Sequence, residues 1–215
     1  MNLFLIRHGQ SVHNITPVDD LTTLDTGLTE LGITQVEALR DYYAERNITA
    51  DAFYTSTMRR TKETANILAA VFGTPIEDDR LREICDLYPD GTVVPADAMP
   101  REWIADWVHL APFKPRAIQT PPIESWMQFR ARIGVFVDEL CEKHVNEDVY
   151  VVAHGGVIAA ACENILNLGP YRRTDIHSHN SAWTHFSYRP DAKNVEAWSL
   201  RGQNRVDHLV LKGLL

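Results

Sequence analysis

No apolar run in these 215 residues approaches the roughly 18–20 residues that a membrane-crossing helix requires. Basic residues do not dominate either. The 21 Lys and Arg face 29 Asp and Glu, and the net charge of −8 argues against nucleic acid or an anionic membrane as the main partner. Cysteine is scarce: Cys85, Cys141 and Cys162 form an odd, scattered set with neither CxxC nor zinc-ligand spacing, which fits a reducing cytoplasm. The opening Met1-Asn2-Leu3-Phe4 lacks the basic start of a signal peptide and leads straight into apolar sequence, so a cytoplasmic protein is expected. Internal repeats and low-complexity tracts are missing as well. What remains is an ordinary soluble composition, 45% hydrophobic and 23% charged, in a length that suits one core with an insertion.

Strand-like and helix-like segments alternate, the pattern of a mostly parallel sheet joined by crossover helices. Leu3–Arg7 reads as a strand whose apolar part is buried on both faces. Leu31, Val36, Leu39 and Tyr43 predict a helix from about Glu30 to Glu45, with Thr29 as its N-cap. A second strand is expected near Ala52–Thr55, then a helix capped by Ser56 or Thr57, reaching Phe72 and stopped by Gly73. Ser125 to His144 reads as a long helix feeding a strand at Val149–Ala153, and a further helix is expected from Val157 to Leu166. Trp183–Tyr188 and Val195–Leu200 alternate like an antiparallel hairpin.

Residues 87–123 break this rhythm. Seven of the eleven prolines sit there, so the stretch is expected to be a loop-rich insertion. Within it, Arg101 to Leu110 could form a short helix with Trp103, Ile104, Trp107 and Val108 on one face. Such a face can pack on the core, shape a substrate pocket as a lid, or do both. Arg101, Lys114 and Arg116 could hold a second anionic group, although surface charge is the plainer reading of each.

The residues that carry chemistry stand at two strand ends. Leu3-Phe4-Leu5-Ile6 runs into Arg7-His8-Gly9, and Val149–Ala153 runs into His154-Gly155-Gly156. Open α/β sheets place ligands at such strand ends. A cation and two histidines followed by glycines suggest an anion site built around a nucleophilic imidazole. In an acidic molecule that site needs arginines and helix N-termini concentrated at one place.

Five motifs in order resemble the histidine phosphatase superfamily, in its phosphoglycerate-mutase-like branch. Arg7-His8-Gly9-Gln10-Ser11 with Asn14 is similar to the family's RHGxSxxN opening. Asp25 to Gly32 resembles its D-x-x-LT-x-x-G segment, and Ser56 to Ala65 its SPLxRAxQTA block, with Arg60 at the arginine. Leu81-Arg82-Glu83-Ile84 resembles L-x-E-I, and His154-Gly155-Gly156 the second histidine. The resemblance implies a three-layer α/β sandwich with a mostly parallel sheet, in one domain over residues 1–215 with the Pro-rich cap or insertion at about 87–123.

It also implies a metal-independent phosphatase that needs no cofactor and acts on phosphate monoesters of small molecules. His8 would be the nucleophile, because an imidazole can hold a phosphoryl group and divide one displacement into two. Arg7 and Arg60 would clamp the phosphate, Asn14 would hydrogen-bond it unless it only caps a turn, and His154 would complete the pocket, stabilising the transferring group as a cation. Arg59, beside Arg60, falls at the variable position. Glu83 would protonate the leaving alkoxide and then serve as base for water. Relatives often follow this glutamate with glycine and W-E-G, whereas this chain reads Cys85-Asp86-Leu87-Tyr88-Pro89, which makes Asp86 a reserve acid.

Glu124-Ser125 and Arg132 resemble the family's G-E-S…R helix without its glycine and read as structural. So do Asn180-Ser181-Ala182 and Asn204…His208-Leu209. His177 and His179 share a strand face, but no third histidine or carboxylate pattern makes them a metal pair. Among the remaining histidines, only His13 is near enough in sequence to touch the pocket.

Two other functions stay open: a cofactor-dependent mutase, and a non-catalytic phosphate-binding module. Mutases follow RHGxSxWN with an F-T-G-W segment, where this chain has His13 and Ile15-Thr16-Pro17-Val18. That departure favours hydrolysis, and the presence of both His8 and Glu83 favours an enzyme. A homodimer stays open too.

Overall fold

A computed structural model of the chain describes residues 1–16, 25–84, 92, 112–113, 124–171, 174–191 and 197–215. Its elements are β1 (Asn2–Arg7), α1 (Val12–Ile15), α2 (Glu30–Ala44), β2 (Ala52–Thr55), α3 (Arg59–Phe72) and β3 (Ile76–Glu77). A 3-10 turn at Asp79–Leu81 follows, then α4 (Trp126–Lys143), β4 (Asp148–Ala153), α5 (Gly155–Ile165), β5 (Trp183–Tyr188), β6 (Trp198–Arg205) and α6 (Asp207–Lys212).

The strands form one six-stranded sheet in the order β3-β2-β4-β1-β5-β6. β3, β2, β4 and β1 run parallel, whereas β5 pairs antiparallel with β1 and β6 antiparallel with β5. Successive strand side chains point to opposite faces, so the apolar runs supply two cores at once. Leu3, Leu5, Tyr54, Val149 and Val151 pack with Phe129, Ile133, Phe136 and Leu140 of α4 and with Val157, Ile158 and Ala161 of α5. Ile6, Phe53, Tyr150 and Val152 pack on the other face with Val36, Leu39 and Tyr43 of α2 and with Ala65, Leu68 and Phe72 of α3. The result is the expected α/β sandwich. Among the described residues no helix is long and apolar enough to cross a membrane.

Several expected boundaries move, each for a physical reason. Thr29 caps α2 by accepting the Gly32 N–H, but Leu31 lies on its exposed side, 41% accessible. α3 starts at Arg59 after Met58, not after Ser56 or Thr57, because Asp25 supplies the cap from far away: its Oδ1 accepts the Arg59 N–H at 2.8 Å. α5 begins at Gly155 rather than Val157, with His154 itself at the N-cap.

The last strand runs Trp198–Arg205, not Val195–Leu200, and residue 195 lies outside the described set. Its later residues are polar and mostly exposed, so it carries little apolar alternation to read. The short β3, the 3-10 turn, α1 and α6 had no comparable signal. The Pro-rich insertion and its Arg101–Leu110 helix lie outside the described residues, apart from Thr92, Pro112 and Phe113. The Pro112 carbonyl accepts the Met127 N–H at the start of α4.

Candidate active site

The site forms at the carboxyl ends of three adjacent parallel strands. β4 delivers His154 between β1, which delivers Arg7 and His8, and β2, which delivers Ser56. The imidazoles of His8 and His154 meet edge to face with ring centroids 5.3 Å apart. Both histidines are buried. Two glycines permit this close packing. A Cβ on Gly9 would lie 2.5 Å from the Gly32 carbonyl oxygen, and one on Gly32 only 1.9 Å from that of Gln10. The RHG turn and the N-terminus of α2 therefore pack backbone to backbone.

The hydrogen bonds of His8 define its tautomer. Nδ1 lies 2.7 Å from the Gly9 carbonyl, which can only accept, so Nδ1 carries the proton. Nε2 is then the lone-pair nitrogen, and Arg60 Nε donates to it at 3.2 Å. Burial holds the His8 pKa well below the ordinary imidazole value, and the charges of Arg60 and then Arg7 push the same way. The imidazole is thus neutral, with Nε2 presented as a base or nucleophile.

His154 is held neutral by the same forces, burial first and then Arg60, His8, Arg82 and Arg7. The cationic His154 expected from the resemblance needs an anion beside it to offset those guanidinium charges. Its Nε2 is hydrogen-bonded to Ser56 Oγ at 3.0 Å, and its buried Nδ1 has no partner.

Arg7, Arg60 and Arg82 concentrate the positive charge that an acidic chain needs at an anion site. Arg7 donates from one terminal nitrogen to the Ser178 carbonyl, while its buried Nε has no protein partner. Its guanidinium passes the backbone of Gly155, where a Cβ would lie 3.7 Å from Nε. Arg60 sits in the first turn of α3. Arg59, its neighbour, instead points outward and pairs with Glu63 at 2.7 Å, as the variable position should.

Asn14 is exposed, and its Oδ1 is fully engaged. It accepts from Ser11 N (2.9 Å), Ser11 Oγ (3.1 Å) and Asn180 Nδ2 (3.1 Å). The turn-capping role is therefore real, and the Nδ2 amide is the group left to donate to a ligand. Glu83 lies at the N-terminus of α5, where its carboxylate accepts the Gly156 N–H at 3.1 Å and the Ile84 N–H at 3.0 Å. A Cβ on Gly156 would come 2.2 Å from Glu83 Oε1, so the second glycine after His154 makes room for the carboxylate. The charge of Glu83 acts on Arg7 and on His13, which ties it to the electrostatic cluster of Arg7, His8, Arg60 and His154.

Sequence reasoning missed Arg82 because it falls at the free position of L-x-E-I. The residue is buried, acts electrostatically on His154, and donates to Thr57 Oγ1 at 3.1 Å while its Nε has no partner. His13 is half-buried with its Nδ1 enclosed, and burial followed by the Arg60 charge lowers its pKa. The late segments read as structural turn out to support the nucleophile. Asn180 Nδ2 and Ser181 N both donate to the His8 carbonyl at 3.1 Å, and Ser181 Oγ is hydrogen-bonded to His208 Nε2 at 2.9 Å.

Asp86, Arg101, Lys114 and Arg116 lie outside the described residues. His177 and His179 pack edge to face, with His179 Nδ1 engaged by Asn204. Among the described residues no group of three or more His, Cys, Asp or Glu is arranged to hold a metal ion.

This arrangement can hold an anion between guanidinium groups while a neutral imidazole nitrogen faces it and a carboxylate stands nearby. That is the equipment of phosphoryl transfer to nitrogen. A family model for the histidine phosphatase superfamily (branch 1) matches residues 3–201. The 5''-phosphoribostamycin phosphatase of Niallia circulans is 28% identical over 215 residues, covering 96% of this chain and 98% of that protein. A 2,3-bisphosphoglycerate-dependent phosphoglycerate mutase of Rhizobium etli is 32% identical over 163 residues, 71% of this chain and 74% of that one. Among solved structures, a mycobacterial glucosyl-3-phosphoglycerate phosphatase in complex with VO3 superposes with a TM-score of 0.66 at 27% identity, covering 94% of this chain and 98% of the other.

Proposed function

Because the chain belongs to the histidine phosphatase superfamily, branch 1, we propose that it hydrolyses phosphate monoesters of small molecules through a phosphohistidine on His8, without a metal ion. The observation that carries this reading is the pair of contacts made by the His8 ring, Nδ1 to the Gly9 carbonyl and Nε2 to Arg60 Nε, which assign the proton to Nδ1 and the lone pair to Nε2.

In the first step the Nε2 lone pair attacks phosphorus and forms the N–P bond. The P–O ester bond breaks, and its electron pair leaves with the alkoxide oxygen, which takes a proton from Glu83. Arg7, Arg60 and the Asn14 amide hold the phosphoryl oxygens, and His154 beside them gains a proton more readily as their negative charge builds. In the second step Glu83 takes a proton from water as the water oxygen attacks phosphorus. The N–P bond then breaks, returning its pair to Nε2, and inorganic phosphate leaves.

We read residues 1–215 as one phosphatase domain in which the 87–123 insertion shapes the substrate side of the pocket. The reading carries a cytoplasmic setting and leaves a homodimer to be tested by size in solution. A mutase remains the second reading, because a relative of that name shares 32% identity. His13 in place of tryptophan stands against it.

The test is turnover of aryl and alkyl phosphates by the purified protein with EDTA present, together with trapping of an acid-labile phosphoenzyme. His8→Ala should abolish both, and full activity in that variant would refute the mechanism. Interconversion of 3- and 2-phosphoglycerate with little phosphate release would replace hydrolysis with mutase chemistry.

A further inference from the structure

Arg132, one of the residues read from sequence as merely structural, spends its guanidinium on the segment that carries Glu83. Its Nε and one terminal nitrogen form a fork on Glu124, at 2.9 Å to Oε2 and 2.7 Å to Oε1. The other terminal nitrogen donates to the carbonyls of Arg80 and, at 2.9 Å, Arg82. The Glu124-bound nitrogen also donates to the carbonyl of Glu83 at 3.2 Å. All five N–H donors of the side chain are thereby used. Glu124 is buried, Arg132 is nearly so, and the guanidinium lies over the Phe129 ring at 4.5 Å.

The segment needs such support. Beyond the 3-10 turn, Arg82 and Glu83 belong to no helix or strand, so their backbone carbonyls find partners only from elsewhere. Arg132 supplies those partners from α4, which is itself anchored by the Ser125 cap next to Glu124. Glu83 is consequently held at two points: its main chain by Arg132, and its carboxylate by the Gly156 N–H. A planar five-donor fork can span a carboxylate and three carbonyls, and a lysine ammonium with three donors cannot.

We infer that the Arg132–Glu124 pair is a positioning device for proton transfer, fixing the Arg82–Glu83 backbone so that the Glu83 carboxylate reaches the leaving oxygen. The inference rests on the reading of Glu83 as the proton donor. Its signature is selectivity by leaving group: a displaced acid slows departure of a basic alkoxide but scarcely affects a stable phenolate. A residue that only supported the fold would depress both reactions alike.

The test compares kcat/KM on p-nitrophenyl phosphate and on an alkyl phosphate for Arg132→Lys, Glu83→Gln and the double variant, with thermal melting alongside. Arg132→Lys should lose at least roughly tenfold more on the alkyl ester than on the aryl one. Glu83→Gln should show the same selectivity more strongly, and adding Arg132→Lys to it should cost little further on the alkyl ester. If Arg132→Lys does not fold, Glu124→Gln, which keeps the arginine and loosens its anchor, should show the split. Equal losses on both esters, with Glu83→Gln still selective, overturn the positioning role and leave the acid in place. An unselective Glu83→Gln overturns the acid assignment and the inference with it.

Discussion

Arg60 Nε donates a hydrogen bond to Nε2 of His8 at 3.2 Å, so the proposed clamp for phosphate rests on the proposed nucleophile. After burial, the fixed cation beside it helps keep Nε2 unprotonated, and the hydrogen bond occupies the lone pair until a phosphoryl group replaces the guanidinium there. During the reaction the guanidinium must transfer its donors to phosphoryl oxygens as charge develops there.

Replacing Arg60 should therefore damage catalysis more than binding. Arg60→Gln is expected to lower kcat by roughly 10²–10³-fold, the usual cost of removing one donor from a developing oxyanion. Initial-rate kinetics on p-nitrophenyl phosphate check this. A change confined to KM would mean that Arg60 binds substrate and transition state equally.

The pH behaviour follows from burial. His8 and His154 are held well below the ordinary 6.5, and His208 is lowered to about 4, each chiefly by desolvation. The unfolded chain binds these protons near pH 6.5, whereas the folded chain does so only at lower pH. Stability should thus be flat above about pH 6.5 and fall as the pH drops below it. Melting temperatures between pH 8 and 4.5 test the sign. Direct NMR titration should find the His8 ring neutral through this range, and Arg60→Gln should move its midpoint upward.

Gly156 offers a steric test of Glu83 that leaves the carboxylate intact. A Cβ there would come 2.2 Å from Oε1, and the backbone of α5 cannot easily retreat from the strand that precedes it. Gly156→Ala should displace Glu83 and cut turnover of alkyl phosphates by roughly 10²-fold, with a smaller loss on aryl phosphates. The same substitution at Gly155, where the nearest contact is 3.7 Å, should be far milder. Comparable losses at the two glycines would argue against displacement of the acid.

Much of this organisation was legible because it is local. The unbroken apolar runs Leu3–Ile6 and Val149–Ala153 announce strands buried on both faces, and both lead into the histidines. Thr29 and Ser125 declare their helices through short-range caps. What stayed hidden acts over distance or through the main chain. Asp25 caps a helix 34 residues later, Arg132 acts on carbonyls that have no sequence identity, and β6 carries little of the apolar alternation that marks a strand. Arg82 escaped notice because a motif shows which positions recur, and burial of a free position becomes visible only in the fold.

Toward the end of α5 opposite His154, a second buried ion pair should govern stability without governing chemistry. Arg130 and Glu163 join α4 to α5 at 3.3 Å, both nearly inaccessible. Trp126 Nε1 donates to the same carboxylate at 3.1 Å, and Arg130 also holds the carbonyls of Leu168 and Gly169 in the loop that follows α5. Glu163→Gln would leave that guanidinium buried beside a neutral amide. Breaking one partner of a buried pair costs about 3–5 kcal/mol, because the remaining charge keeps its desolvation penalty without its counter-charge. Denaturant unfolding should show a loss of that size with an unchanged m-value. Activity per folded molecule should stay within about twofold, since α5 presents its other end, Gly155-Gly156, to the site. A large fall in kcat at full folding would instead tie the α4–α5 contact to the placement of His154.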